Sequence, residues 1–264
     1  MGSFASSLAS SAASIVPTPS PARTGPFTPT YADVHAALDA LVAARLPPEL
    51  AVLVLDLAEY YPTLVASSSH PVAVRAPFSG ERQAHTLVVS DPIPAFPGAP
   101  EHPVACVRVV TDSRDQGFSN FIEHHGTRKG SSSWFELLLL RPRPLGASPP
   151  SSSSANDPPN PFTPLLPVRL HSNLHAVPLF TQYEAVLPPP PRPPAEPPQG
   201  PSQLEAADED EDDQPEGEPD RTAALQLVQQ AQAGDRIAVV ALAEYPAWVN
   251  YVRSCELRVE LRAV

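Results

Sequence analysis

The chain has 264 residues and a formal net charge of -12, and its 37 prolines far outnumber its 11 glycines. Ten carboxylates and no basic residue lie in the segment 205–220, so the rest of the chain is nearly neutral and offers no basic face for a nucleic acid. No stretch contains the roughly 20 consecutive apolar residues that a transmembrane helix needs, so no transmembrane segment is predicted.

The N-terminal segment 1–29 is rich in serine, alanine and proline and predicts a disordered tail. Gly2 followed by Ser6 fits the loose pattern for N-myristoylation, which a serine-rich tail also produces by chance. No secretory signal is found, and both cysteines, Cys106 and Cys255, lie in apolar, strand-like runs. We therefore expect two buried, reduced thiols, no cofactor, and an intracellular protein of the cytoplasm or nucleus.

A helical hairpin is predicted over residues 30–62. Thr30 and Asp33 are spaced as a capping box, and apolar residues follow at helical intervals. The prolines at 47 and 48 end the first helix and begin the second, because proline suits a first helical turn. We expect the hairpin to pack on a larger core. The apolar stripe of the second helix consists of Leu50, Leu53, Val54 and Leu57.

Strand-like runs begin after Ser67 and predict a β-sandwich over 68–264. Most of these runs are short, apolar and rich in β-branched residues. One run alternates apolar and polar residues, which predicts a half-exposed strand with Arg169, His171, Asn173 and His175 on its solvent face. The predicted strands span 72–75, 85–90, 104–111, 134–141, 168–175, 180–187 and 236–243.

Two proline-rich segments, 143–161 and 188–220, predict disordered inserts within that sandwich. The segment after the second insert carries the clearest strand pattern of the chain. One face of this last strand consists of Cys255, Leu257, Val259 and Leu261. Because a lone strand is unstable, it must pair with strands that precede residue 188. The sequence thus predicts a mainly β fold: an antiparallel sandwich of the jelly-roll or galactose-binding type with the inserts as long surface loops.

The densest group of polar side chains predicts a ligand-binding site on loops within 112–136. Mixed carboxylates, cations and an imidazole beside aromatic rings can bind sugar hydroxyls or an anionic group. The alternative is that these residues are solvated loop positions around buried aromatics. Trp134, Trp248 and Tyr251 are also expected to be structural aromatics. Trp248 and Tyr251 lie between two strands, where they could cap the core or line a groove, and a core cap is the expectation because aromatic rings bury large areas. The candidate ligand-binding residues are Asp112, Arg114, Asp115, Gln116, His125, Arg128 and Trp134.

Catalytic and metal chemistry find little support in the sequence. Adjacent His124 and His125 would point to opposite sides of an extended chain, which makes a poor chelating pair, so no metal site is predicted. The chain lacks a G-x-S-x-G elbow and a glycine-rich phosphate loop. We therefore predict that the protein is not an enzyme.

Seven short blocks of the sequence form a recognisable set. They are Leu-Pro-Pro-Glu-Leu at 46–50, Leu-Asp-Leu-Ala-Glu-Tyr-Tyr-Pro at 55–62, Asp-Ser-Arg-Asp-Gln-Gly-Phe at 112–118, His-Gly-Thr at 125–127, Ser-Trp-Phe-Glu at 133–136, Gly-Asp-Arg-Ile-Ala-Val at 234–239 and Pro-Ala-Trp-Val-Asn-Tyr at 246–251. These blocks resemble a group of uncharacterised fungal proteins. The resemblance implies a short helical element followed by a β-sandwich and names no activity. Such proteins often carry Trp where this chain has Phe118. The stretch 46–50 is also similar to part of an F-box helix.

The function expected from these features is that of a non-catalytic binding or scaffolding protein. Its loops and its proline-rich and acidic segment 188–220 would face protein partners, and the proline run could serve as a polyproline II ligand. Two alternatives remain open: a carbohydrate-binding sandwich that uses the 112–136 loops, so that a glycan is the ligand, and an F-box-like substrate adaptor in ubiquitin transfer that uses the helical hairpin.

Overall fold

The computed structural model describes residues 28–95, 101–143, 161–187 and 220–262. Most of the predicted tail 1–29 and most of the predicted inserts 143–161 and 188–220 lie outside these residues. The described chain forms α1 (Tyr31–Ala43), α2 (Pro48–Leu57), β1 (Thr63–Ser68), β2 (Val72–Arg75), β3 (Gln83–Val89), β4 (Val104–Arg114), β5 (Ser133–Pro142), β6 (Phe162–Ser172), β7 (Thr181–Leu187), α3 (Arg221–Gln230), β8 (Arg236–Ala243) and β9 (Val249–Leu261).

The helical hairpin begins with the predicted capping box. The Thr30 hydroxyl accepts a hydrogen bond from the Asp33 amide, and the Asp33 carboxylate accepts one from the Thr30 amide at 2.8 Å. These two bonds satisfy backbone donors that the first helical turn leaves without a partner. The helices α1 and α2 then pack through Val34 and Leu55, which form a small core of their own.

The apolar stripe of α2 faces solvent and does not pack on the core. Leu50, Leu53, Val54 and Leu57 are all exposed, and Leu57 retains 78% of its accessible surface. Ala51 and Leu55 occupy the buried face instead. Because α2 is apolar on both faces, its sequence does not specify which face packs inward.

The core of the protein is a sandwich of two antiparallel sheets, as predicted. The first sheet has the order β1-β9-β4-β7, and β2 also pairs directly with β9, next to β1. The second sheet has the order β3-β8-β5-β6. The C-terminal strand β9 pairs with β1, β2 and β4, and β8 pairs with β3 and β5. The strands that follow residue 220 are therefore central strands whose partners all precede residue 188.

The alternation predicted for β9 is confirmed, since Cys255, Leu257, Val259 and Leu261 are all buried. Strand β1 was missed, because the predicted strands begin only after Ser67. This strand pairs along the C-terminal half of β9, and four of its six residues are polar or small. The sheet thus starts at residue 63, directly after the hairpin.

The predicted orientation of strand 168–175 is also wrong. His171, Asn173 and His175 are buried rather than exposed, and only Arg169 faces solvent as expected. The reason is a β-bulge in β6, where Glu136 pairs with Arg169 but the neighbouring Phe135 pairs with His171. An extra residue shifts the alternation by one position, which moves the following side chains to the opposite face.

The two cysteines form no disulfide. Cys255 is buried in the core, and burial raises the pKa of its thiol to about 12. Cys106 is only half-buried, contrary to expectation, and lies on the outer face of the first sheet, where burial raises its pKa to about 11. Neither thiol is in the ionised form that makes a cysteine reactive at neutral pH.

Candidate functional site

One end of the sandwich is closed by four connections, residues 76–82, 115–132, 173–180 and 244–248, which we call the loop end. Asp115, Gln116, His125 and Arg128 lie in the longest of these connections. Asp112 and Arg114 lie at the C-terminal end of β4, beside this connection, on the outer face of the first sheet. Six of the seven predicted ligand-binding residues therefore lie at or beside the loop end.

Trp134 does not belong to this group. Its ring lies on the outer face of the second sheet between two guanidinium groups, with Arg82 at 5.1 Å and Arg169 at 4.9 Å from the ring centroid. The indole N–H donates a hydrogen bond of 2.8 Å to the Glu136 carboxylate. Since only 4% of Trp134 is exposed, it is a structural aromatic, and its assignment to the ligand site is wrong.

The interior of the sandwich becomes polar beneath the loop end. Asn173 is at the centre of this buried network, because it contacts both sheets. Its amide oxygen accepts from the Ser113 hydroxyl at 2.8 Å, and its amide nitrogen donates to the Ser133 hydroxyl and to the Asn250 amide oxygen, both at 2.9 Å. A buried network in which these groups are paired rigidifies the backbone that it connects.

Asn250, the second residue of β9, completes the network. It is fully buried, and its amide nitrogen donates to the carbonyl oxygens of Trp134 and Leu242 at 3.1 and 3.2 Å. These two carbonyls belong to β5 and β8 of the opposite sheet. A single side chain thus joins the two sheets at the end where the loops begin.

Asp115 connects two of the loops. One carboxylate oxygen accepts from the Gly117 amide at 2.7 Å and the other accepts from the Ala176 amide at 2.6 Å. Burial raises the pKa of this carboxyl, and the two backbone N–H donors partly offset that effect. Gly117 adopts a φ of +85°, and a Cβ atom there would lie 3.0 Å from Pro178. Glycine is therefore required for both the backbone conformation and the contact.

Arg128 closes the open side of the sandwich between the edge strands β6 and β7. Its guanidinium donates to the Ser172 carbonyl and lies 4.2 Å from the centroid of the Tyr183 ring. Among the described residues no carboxylate pairs with it, and burial lowers its pKa. Arg128 therefore acts mainly as a packing residue and is not displayed to a ligand.

His171 lies in the same region, stacked on Phe135 with ring centroids 4.8 Å apart. Its Nε2 atom is within 3.1 Å of the Thr111 hydroxyl. Burial, followed by the charge of Arg128, holds the imidazole pKa well below its usual value. The ring is therefore neutral in the folded protein.

Three histidines meet under the 115–132 loop. His175 is fully buried, with the ring centroids of His124 and His125 at 6.0 and 5.8 Å and that of Trp248 at 5.2 Å. The prediction that His124 and His125 point to opposite sides is wrong, because a 3-10 turn at Ile122–His124 replaces the extended chain. In the described ranges no group of three or more His, Cys, Asp or Glu side chains has an arrangement that could hold a metal ion.

The surface of the loop end is unusually apolar. Phe118, Phe121 and Ile122 retain 65%, 60% and 76% of their accessible surface, and Tyr245 is also exposed. Phe118 and Phe121 line a cleft of about 180 Å³, and Ile122 and Tyr245 are the sequence neighbours of its lining residues Phe121 and Pro246. The cleft is lined by Gln116, Phe118, Ser119, Asn120, Phe121, Pro246, Ala247 and Trp248, so it combines aromatic rings with uncharged hydrogen-bonding groups.

The backbone of one wall of this cleft is strained. Tyr245 and Ala247 adopt φ values of +67° and +71°, which residues with a Cβ atom rarely adopt. Such conformations persist only where the surroundings enforce them, and they concentrate at binding sites. Here the neighbouring Trp248 packs against the core and the following Asn250 anchors the strand.

The other two structural aromatics have different roles. Trp248 packs on the core and lines the cleft, in agreement with a capping role. Tyr251 does not cap the core, because it lies on the outer face of the first sheet beneath Arg75 and Arg114. Asp112, on the same face, forms an ion pair of 3.0 Å with Arg253.

Four of the seven sequence blocks that carry the resemblance contribute to this buried framework. Asp115 and Gly117, Ser133 and Asn250 form the turns and hydrogen bonds described above, and the Gly126 amide donates a hydrogen bond of 2.9 Å to the His175 carbonyl. The exposed residues Phe121, Ile122 and Tyr245 lie outside the blocks or between them, and the sequence offered no periodic signal for them. Comparison of the chain with protein-family models, curated proteins and solved structures finds no match. No helix in the described ranges is long and apolar enough to span a membrane.

Proposed function

We propose that the protein is a non-catalytic binding module and that its loop end docks a protein partner. The observation that carries this proposal is the exposed apolar rim of Phe118, Phe121 and Ile122 around the cleft at Trp248. Exposed aromatic side chains that cluster on a rigid frame are typical of protein interaction sites. The buried network beneath the rim supports the proposal, because a preorganised loop loses less entropy on binding.

The test is quantitative affinity purification of the full chain and of a variant with Phe118, Phe121 and Ile122 changed to serine. We expect the variant to lose a specific set of partners and to keep the melting temperature of the wild type, since the three side chains are exposed. Leu225→Ser on α3 is the control, because Leu225 is exposed at a distance from the loop end. An unchanged partner set in the triple variant would contradict the proposal.

A carbohydrate ligand is the alternative occupant of the same cleft. Its support is the lining, in which the uncharged Gln116, Ser119 and Asn120 lie beside aromatic rings. Sugars are bound by such amides and hydroxyls together with ring stacking. A glycan array separates the two occupants. Binding that is lost in Asn120→Ala would favour the sugar, whereas a blank array would leave the protein partner as the occupant.

The adaptor function has an observation of its own in the helical hairpin. Leu50, Leu53, Val54 and Leu57 form an exposed stripe at the i, i+3, i+4, i+7 spacing of a helix that docks into an apolar groove. If this stripe recruits a ubiquitin-ligase subunit, the Leu53→Ser, Leu57→Ser double variant will lose that subunit. The loop-end variant will keep it, so the two functions can be separated in one experiment.

A further inference from the structure

A set of arginine and aromatic side chains crosses the outer face of the first sheet beside the loop end. The guanidinium carbon of Arg114 lies 4.1 Å from the centroid of the Tyr251 ring and 5.2 Å from that of Phe180. Arg75 lies 5.7 Å from Tyr251 on one side, and Arg253 lies 4.0 Å from Phe180 on the other. We call the three arginines the arginine strip.

Two of the three arginines of the strip form no ion pair. Arg253 pairs with Asp112, whereas no carboxylate in the described ranges forms a salt bridge with Arg75 or Arg114, although the charge of Arg114 acts on the neighbouring Asp115 carboxyl. Arg75 donates a hydrogen bond to the Tyr251 hydroxyl, and Arg114 donates one to the Asp115 backbone carbonyl. This distribution contrasts with the rest of the same sheet face, where Arg108 and Arg258 are paired with Glu260 and Glu256.

The aromatic rings hold the guanidinium groups in place. Stacking on a ring fixes the plane of a guanidinium and leaves its N–H donors free at the edges. Arginines held in this way lose little side-chain entropy when they bind a carboxylate. Arg75 lies on β2 and Arg114 on β4, so one strand, β9, separates them. Arg75 pairs with Val249 and Arg114 with Tyr251, two positions further along β9. Two strand spacings and this offset place the two Cα atoms about 12 Å apart, which is close to the distance between residues i and i+4 of an extended peptide.

We propose that the arginine strip is a docking site for an acidic peptide segment of a partner protein. The charge complementarity favours a short acidic ligand over a nucleic acid, because carboxylates border the strip. Glu184 and Glu256 lie on either side of Val110, which is two outward-facing positions from Arg114 along β4. These two groups would repel a phosphate backbone that continued along the sheet. The strip uses residues different from those of the loop-end proposal, so the two proposals can fail independently.

The test is fluorescence anisotropy with the full chain and a short, labelled peptide that carries glutamate at every second position, so that the carboxylates share one face of the extended peptide. The peptide is expected to bind, and the same peptide with glutamine in place of glutamate is not. We expect Arg75→Gln and Arg114→Gln each to weaken binding roughly fivefold. Arg258→Gln is the matched control, since it removes the same charge from the same face but from an existing ion pair. Raising the salt from about 50 to about 300 mM should weaken binding further.

The chain's own carboxylates at 208–213 could compete for the strip, so the assay is repeated on a chain in which these six residues are the corresponding amides. Peptide binding that needs Arg75 and Arg114, in either chain, supports the proposal. The absence of binding in both chains overturns it, and so does equal weakening by Arg258→Gln. A single-stranded oligonucleotide of matched charge that binds more tightly than the peptide also overturns it, because the strip would then select phosphate.

Discussion

Asn250 provides the sharpest test of the buried network. Replacement by alanine removes two hydrogen bonds donated to the Trp134 and Leu242 carbonyls and one accepted from Asn173. Each buried bond contributes about 1 kcal/mol, so the free energy of unfolding should fall by about 3 kcal/mol. For a domain of this size the melting temperature shifts roughly 2–4 °C per kcal/mol, which predicts a decrease of roughly 6–12 °C.

The assay is urea-induced unfolding followed by the fluorescence of the two tryptophans, Trp134 and Trp248. Asn120→Ala is the control, because Asn120 is exposed in the same loop region and its replacement should change stability by about 0.5 kcal/mol or less. Asn250→Asp should be less stable than Asn250→Ala, since a carboxylate would face two carbonyl oxygens that now receive N–H donors.

Two results would refute this reasoning. The first is a loss of less than about 1 kcal/mol in Asn250→Ala, which would mean that the bonds contribute little. The second is strict additivity of Asn250→Ala and Asn173→Ala, because residues that share a hydrogen bond should show a coupling free energy of at least about 0.5 kcal/mol. An Asn250→Asp variant as stable as the wild type would likewise show that the N–H bonds to the Trp134 and Leu242 carbonyls contribute little.

Three further predictions concern the same end of the sandwich. Gly117→Ala should lower the free energy of unfolding by about 2–3 kcal/mol, and Gly126→Ala should lower it by only about 1 kcal/mol. Both glycines have a positive φ, but only at Gly117 would a Cβ atom lie against Pro178. Urea titration of both variants measures the difference. Asp115→Asn should lower the free energy of unfolding by about 2 kcal/mol, since an amide can accept only one of the two backbone N–H bonds; a calorimetric melting curve equal to that of the wild type would contradict this. As the pH falls below about 6.5, the unfolded imidazole of His171 takes up a proton that the buried ring does not, so stability should decline by up to about 1.4 kcal/mol per pH unit from this group; His171→Phe should reduce that slope, and an identical slope in both proteins would show that the ring is protonated in the fold.

The β-sandwich was predictable because most of its strands are short runs rich in β-branched residues, because β9 alternates clearly, and because β9 needs partners that only the earlier part of the chain supplies. The details that failed depend on tertiary structure. A bulge in β6 turned His171 and Asn173 inward, and α2 buried Ala51 and Leu55 rather than its leucine stripe. In both cases the local pattern fits either face, so only the packing partner decides.

The candidate site was predicted in position but not in role. The polar residues of 112–116 lie at the loop end. However, Asp115 is buried and joins two loops through hydrogen bonds, and Arg128 packs against the Tyr183 ring. The exposed surface belongs to Phe121, Ile122 and Tyr245, whose exposure follows from the turn at 122–124 and from left-handed backbone at 245 and 247. Neither feature has a periodic signal in the sequence.

The most direct test of the central claim is site-specific photocrosslinking from the loop end in cells. A photoreactive phenylalanine analogue at position 121 of the full chain should form a discrete protein adduct, and the same analogue at position 225 on α3 should not. An adduct that forms only at position 121 would demonstrate that a protein docks on the apolar rim. If position 121 forms no adduct, or if both positions form the same adducts, the loop end is not the binding surface.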